Sequence, residues 1–242
     1  MGPHRPSLIL RLFDALDGND RTTAAFAASG RVAYVQGMLK GLCELDGYIA
    51  YVRAAAKLSD VRVGIENYGL VDGKRTSRVE EKEGELTNLD FRIISSLSLD
   101  CRKSTHDVAA EVGVSARTVT RRLDSMLERG MLELTIGWNP YQMGDLIITF
   151  VDIDLKEGED KEAFLSSLGK RFGPKMLMSA TYHNLPSYVE SIAWTTNIGE
   201  LRTMIEALEQ DPSVATAVPN VGITYRWYMT WMEKASMKLA RK

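Results

Sequence analysis

Residues 104–129, STHDVAAEVGVSARTVTRRLDSMLER, most constrain what this chain can fold into. Ser104 is placed to cap a short helix, and Asp107 three residues on completes a capping-box pattern. Val108, Ala109 and Val112 give that helix an apolar face. Gly113-Val114-Ser115 is the turn, with glycine where helices commonly stop and Ser115 suited to cap the next helix. The second helix buries Val119, Leu123, Met126 and Leu127. Arg117 and Arg121, four apart, project on the opposite face with Thr118 and Thr120 beside them. A helix packed on one side and basic on the other is built like the recognition helix of a helix-turn-helix. Its first turn enters a major groove and its N-terminus favours a phosphate. The residues expected on DNA are therefore Ser104, Ser115, Arg117, Thr118, Thr120, Arg121 and Arg122. Arg117, Thr118, Thr120 and Arg121 would meet bases, and Ser115 and Arg122 phosphate. Two plainer readings compete: a solvated basic helix face, and a small helical bundle with no nucleic acid partner.

The net charge of −2 means that DNA binding has to come from such a local patch and not from the overall field. Hydrophobic residues at 45% and charged residues at 26% are ordinary for a globular chain of 242 residues, long enough for two or three small domains. Cys43 and Cys101 have no metal or redox spacing, so buried or half-buried free thiols in a reducing cytoplasm are expected. No signal-peptide pattern and no membrane-length apolar run is present, which points to a cytoplasmic protein without a membrane partner.

Before this stretch, residues 8–16 read as an amphipathic helix, 23–28 as a small helix and 31–45 as a longer one. Strands are expected at 48–52 and 61–71. Laid on the later unit, Val35, Leu39 and Leu42 match Val119, Leu123 and Met126, so residues 1–71 look like a degenerate first helix-turn-helix. On that alignment Ala33, Gly37 and Met38 stand where Arg117, Arg121 and Arg122 stand in the second. The first unit is then an interaction or dimerisation module that has lost base reading, unless its free face packs on its own chain. The polar stretch 72–85 reads as a charged linker, and 86–139 as the DNA-binding domain, with a helix at 89–97 and a strand at 131–136.

From residue 146 the rhythm changes. A strand at 146–155, a helix at 161–172, strands at 175–182 and 187–195, a helix at 198–209 and a strand region at 214–225 give the order β-α-β-β-α-β. The fold class is thus α+β: two helix-turn-helix-like units, winged in form, followed by a ferredoxin-like domain at 140–242. The open face of its sheet is expected to bury itself against a second copy. Trp227, Tyr228 and Trp231 are too apolar for water, so the tail should form a helix on the sheet or on a neighbouring chain.

LDFRII at 89–94, VAAEVGVSARTVTRRLDSMLERGML at 108–132 and NPYQMG at 139–144 resemble the Lrp/AsnC family of transcription regulators. The resemblance covers residues 86–225. It implies DNA binding through the helix-turn-helix, a dimer or larger oligomer built through the C-terminal domain, and often a small effector such as an amino acid. The chain departs from that family in having a second helix-turn-helix-like stretch. It also carries His183-Asn184-Leu185-Pro186-Ser187 where a Gly-Asp-Tyr-Asp-like turn is usual.

No catalytic constellation stands out, and no cofactor or metal is expected. His4, His106 and His183 are each alone in sequence, and Asp152 and Asp154 alternate on a strand in the manner of a solvated face. Two alternatives follow: a tetrapyrrole enzyme resembling the sirohaem decarboxylases, with His183 serving alone, or a dimeric scaffold that does not touch DNA.

Overall fold

The computed structural model describes residues 8–57, 61–71, 74–76, 85–98, 100–132, 134 and 144–240. Most of the linker 72–85, most of the strand expected at 131–136, the connector 139–143 and His4 lie outside the described residues. The chain divides into two units. One comprises residues 1–78 and 139–228, and the other residues 79–138 and 229–242.

In the first unit, β5 (Ile147–Leu155), α6 (Lys161–Phe172), β6 (Met176–Tyr182), β7 (Leu185–Thr195), α7 (Ile198–Glu209) and β8 (Val214–Trp227) follow the β-α-β-β-α-β order. The strands are antiparallel and stand in the order β8-β5-β7-β6. Alternation along β5 and β7 sends Val151, Ile153, Leu155, Val189 and Ala193 to one face. There they pack on Phe164, Leu165 and Leu168 of α6 and on Leu201, Met204, Ile205 and Leu208 of α7. Asp160 caps α6 and Asn197 caps α7 through their side-chain oxygens.

Residues 8–71 are not a helix-turn-helix. They form α1 (Leu8–Leu16), β1 (Thr22–Ala28), β2 (Ala33–Gly37), α2 (Leu45–Ala56) and β3 (Glu66–Val71). With β4 (Lys74–Thr76) these strands extend the sheet at both edges, giving the order β2-β1-β8-β5-β7-β6-β3-β4. The expected helices at 23–28 and 31–45 are therefore corrected to a hairpin and the approach to α2, and the strand expected at 48–52 to the middle of α2. A tight turn makes the difference. Gly30 and Arg31 take φ of 69° and 65°, the paired left-handed geometry that suits a two-residue hairpin. Ala28 N then donates to Val32 O at 2.9 Å.

Phe13 and Leu16 of α1, Ala25 and Ala27 of β1, Val52 of α2 and Tyr228 enclose a second core. Tyr228 Oη donates to the Phe13 carbonyl at 3.0 Å, so an indispensable polar group of this core is satisfied inside it.

The other unit holds α3 (Asn88–Leu97), α4 (Thr105–Val112), α5 (Ala116–Glu128) and α8 (Trp231–Ala240). Ile93 and Leu97 of α3, Val108, Ala109 and Val112 of α4, and Val119 and Met126 of α5 close its core. The tail helix α8 belongs to this unit, not to the sheet or a neighbouring chain as expected. It packs against α3, and Asn88 Nδ2 donates to Leu239 O at 2.8 Å. Thr230 starts α8 with a reciprocal cap: Thr230 N donates to Glu233 Oε2 at 2.7 Å, and Glu233 N to Thr230 Oγ1 at 3.4 Å. Cys43 and Cys101 are exposed, contrary to the burial expected of them. Cys43 sits in the short 3-10 turn Leu42–Glu44, which buries none of its residues, and Cys101 in the turn between α3 and α4. Among the described residues no helix is long and apolar enough to cross a membrane.

Candidate nucleic-acid interface

Ser104 Oγ accepts from Asp107 N at 3.1 Å and donates to the Asp107 carboxylate at 2.6 Å, fixing the start of α4. The helix ends at Gly113, whose φ of 74° is left-handed and whose N–H returns to Ala109 O at 2.8 Å. A side chain there would be strained, so the glycine is needed to swing the chain into α5. Ser115 then caps α5, its Oγ accepting from Thr118 N at 3.1 Å. The first-turn amides of α5 that have no intrahelical partner are thereby aimed outward together.

Arg117, Thr120 and Arg121 are exposed on one stripe of α5. Asp124, also exposed, continues that stripe seven residues beyond Arg117. The positive surface is thus confined to the first turns, where a recognition helix meets base edges. Thr118 is half-buried and its hydroxyl lies 2.9 Å from Ser115 Oγ, within the cap. Thr120 Oγ1 donates to Ala116 O at 3.1 Å. Ser104 is exposed but stands at the start of α4, where its side chain serves as the cap.

Arg122 is placed differently from the other predicted residues. Its Nε donates to Asp90 Oδ1 at 2.8 Å, and one terminal nitrogen to Asp90 Oδ2 at 2.5 Å and Thr87 Oγ1 at 2.6 Å. The guanidinium is turned inward to α3 and does not point with Arg117 and Arg121. The Asp90 side chain is only 4% exposed. Burial works against its charge, but the Arg122 and Thr87 hydrogen bonds outweigh it and hold the carboxyl below its ordinary value. Sequence reasoning missed this clamp. The signal was present: Asp90 shares the inner stripe of α3 with Ile93 and Leu97, and a carboxylate on a core face requires a cation. Arg92 and Lys103 are also committed within the unit. Arg92 donates to Val112 O at 2.5 Å, and Lys103 Nζ to Ser96 O and both Glu111 carboxylate oxygens at 2.9 Å. Arg117 and Arg121 are left as the outward cations of α5's first turns.

Residues 86–127 match the AsnC-type helix-turn-helix domain. This stretch is similar to AsnC-type helix-turn-helix domains. Part of the fold is similar to the transcriptional regulator NMB0573 from Neisseria meningitidis, solved in complex with L-Met. The TM-score is 0.50 at 15% identity, over 58% of this chain and 91% of that one. AsnC of E. coli aligns at 20% identity and a TM-score of 0.48, over 58% and 94% of the two chains. LrpC of B. subtilis aligns at 20% and 0.46, over 58% and 96%. No curated protein matches the chain.

The other chemistry-bearing residues lie away from α5. His106 is exposed in the first turn of α4, and His183 is exposed in the β6–β7 turn, its backbone N donating to Ile65 O at 2.8 Å. Asp152 is not a solvated carboxylate as expected: it accepts from Tyr188 Oη at 2.6 Å, Tyr34 Oη at 3.1 Å and Asn220 Nδ2 at 3.1 Å. Among the described residues no cluster of three His, Cys, Asp or Glu side chains is arranged to hold a metal ion.

Proposed function

We propose that the chain regulates transcription by sequence-specific binding of double-stranded DNA through α5. Arg117 and Arg121 read guanine edges, the exposed Thr120 meets a base beside them, and the α5 N-terminus at Ser115 receives a phosphate. Arg122 and Ser104 hold the reading helix in place. The observation that carries this reading is the exposed Arg117–Thr120–Arg121 stripe at the capped start of a helix inside an AsnC-type domain. Good bidentate arginine–guanine contacts are worth about 1–3 kcal/mol of discrimination each. Selection of bound fragments from random duplexes, followed by anisotropy titration of the selected site against scrambled DNA, tests it. No preference for any sequence would defeat it.

The likeness to a solved transcriptional regulator supports the regulator reading over the tetrapyrrole enzyme. A small effector is proposed on the strength of the Neisseria regulator's L-Met alone, and a thermal-shift screen of free amino acids tests it. The dimer expected through the C-terminal sheet rested on an uncovered face. In this chain Phe150, Tyr188, Ile192 and Asn220 on that face are buried without any second copy.

A further inference from the structure

Residues 8–71 carry their elements in the order α1-β1-β2-α2-β3, helix–strand–strand–helix–strand. The C-terminal half runs strand–helix–strand–strand–helix–strand, so the first order is the second without its opening strand. The layers repeat as well. Helices α6 and α7 cover one face of the C-terminal sheet, and α1 and α2 cover one face of the β1–β2 hairpin. Each half is left with one helix-free sheet face, and the two helix-free faces meet.

The meeting is close. Tyr34 of β2 stacks on Phe150 of β5 with ring centroids 4.5 Å apart, and Phe26 of β1 lies 5.3 Å from the same ring. In a flat sheet β2 and β5, three strands apart, would be about 14 Å from each other. The sheet therefore curls back on itself and lays its first hairpin over β5. A register shift between Ala27 and Ala28, opposite β8, provides a place for the bend. Polar groups are matched across the junction: Tyr34 Oη donates to Asp152, and Asn220 Nδ2 donates to Tyr34 Oη at 2.9 Å. At the other end, the backbone of Gly64 lies against the Tyr182 ring, and Arg62 stands 4.9 Å over the Tyr188 ring. Each half also lends the other a strand. Residues 222–227 of β8 pair with β1, and β3 pairs with β6.

We infer that residues 8–71 repeat the αββαβ part of a βαββαβ half, and that they occupy, within one chain, the sheet face that a lone half would present to a second copy. The partner of the C-terminal sheet is the chain's own N-terminal segment. Self-association through this face is thereby closed, and any further assembly has to use another surface.

Two measurements on the full chain test this. Ala27 and Thr224 are cross-strand partners of β1 and β8. In a Cys43→Ser, Cys101→Ser background, Ala27→Cys with Thr224→Cys should oxidise to a disulfide within one chain. The product should run at one-chain mass on a non-reducing gel, with a mobility that dithiothreitol reverses. A two-chain band, or no cross-link, overturns the inference. Tyr34→Asp sets a carboxylate against Asp152 and should lift the hairpin, so that sedimentation velocity shows a larger species than the wild type at equal concentration. A Tyr34→Asp chain with native circular dichroism and unchanged mass also overturns it. If that variant does not fold, the cross-link decides alone.

Discussion

The Arg122 guanidinium grips the buried Asp90 carboxylate with two nitrogens, at 2.8 Å and 2.5 Å, and so ties the recognition helix α5 to α3. The same Asp90 carboxylate accepts from Thr87 N at 2.7 Å in the cap of α3. One ion pair therefore fixes both the start of α3 and the rotation of α5 about its axis.

Removing the cation should leave Asp90 buried and unpaired. Arg122→Ala is expected to destabilise the helical unit by about 2–3 kcal/mol. Urea unfolding followed by circular dichroism checks this, and an unchanged midpoint would show the pair to be dispensable. Arg122→Lys, which cannot make the fork, should recover only part of the loss.

Arg117→Ala should act on recognition and leave stability alone, because Arg117 is exposed and lies away from the Asp90 clamp. Affinity for the selected site should fall by about 1–3 kcal/mol, with a much smaller loss on scrambled DNA. Equal losses on both would make Arg117 a phosphate anchor. The slope of log affinity against log salt separates the two roles, since losing a phosphate contact flattens it.

Glu190 on β7 is the direct cross-strand neighbour of Asp152 on β5. Burial pushes its carboxyl up to about 7 from an ordinary 4.5. The Tyr182 hydrogen bond opposes the rise, and the charges of Asp152 and Glu66 add to it. Between those values the folded chain keeps a proton that the unfolded chain has released. Unfolding there loses a proton, so this group's contribution to stability falls as the pH rises from about 5 toward 7. Glu44 and Glu200, both held at about 2 by Arg21 and Lys175 respectively, act in the opposite sense: only their unfolded forms still bind some proton near pH 5, so their contribution rises slightly there and is flat toward pH 7. Thermal melts of the wild type and of Glu190→Gln from pH 5 to 8 should show a fall in the first that is reduced in the second. Parallel curves would contradict the assignment.

A Cβ at residue 64 would stand 2.3 Å from Tyr182 Cδ1. The Tyr182 ring cannot swing away freely, because it packs against Tyr188 at 5.5 Å and its hydroxyl donates to Glu190 Oε2 at 3.0 Å. Gly64→Ala should therefore cost about 1–3 kcal/mol by overpacking, read by chemical denaturation of the full chain. A neutral result would mean that residues 61–66 do not lie on this ring.

The sequence by itself determined the elements whose signals are local. Ser104, Gly113 and Ser115 bound α4 and α5 by side-chain and backbone contacts within a few residues, and the structure keeps each cap. The order β5-α6-β6-β7-α7-β8 was equally legible, because dense apolar alternation and the caps Asp160 and Asn197 fix strand and helix locally. Tertiary structure alone decided the N-terminal half. TTAAFAA at 22–28 suits a helix by composition, and it becomes a strand because Ala25 finds Arg226, and Phe26 finds Tyr225, on the distant β8. It also decided the direction of Arg122: one helical step from the outward Arg121, it turns inward because a buried carboxylate on another helix lies within reach. Pairings between residues so far apart in sequence leave no periodic trace, since their energy comes from partners that only the folded chain brings together.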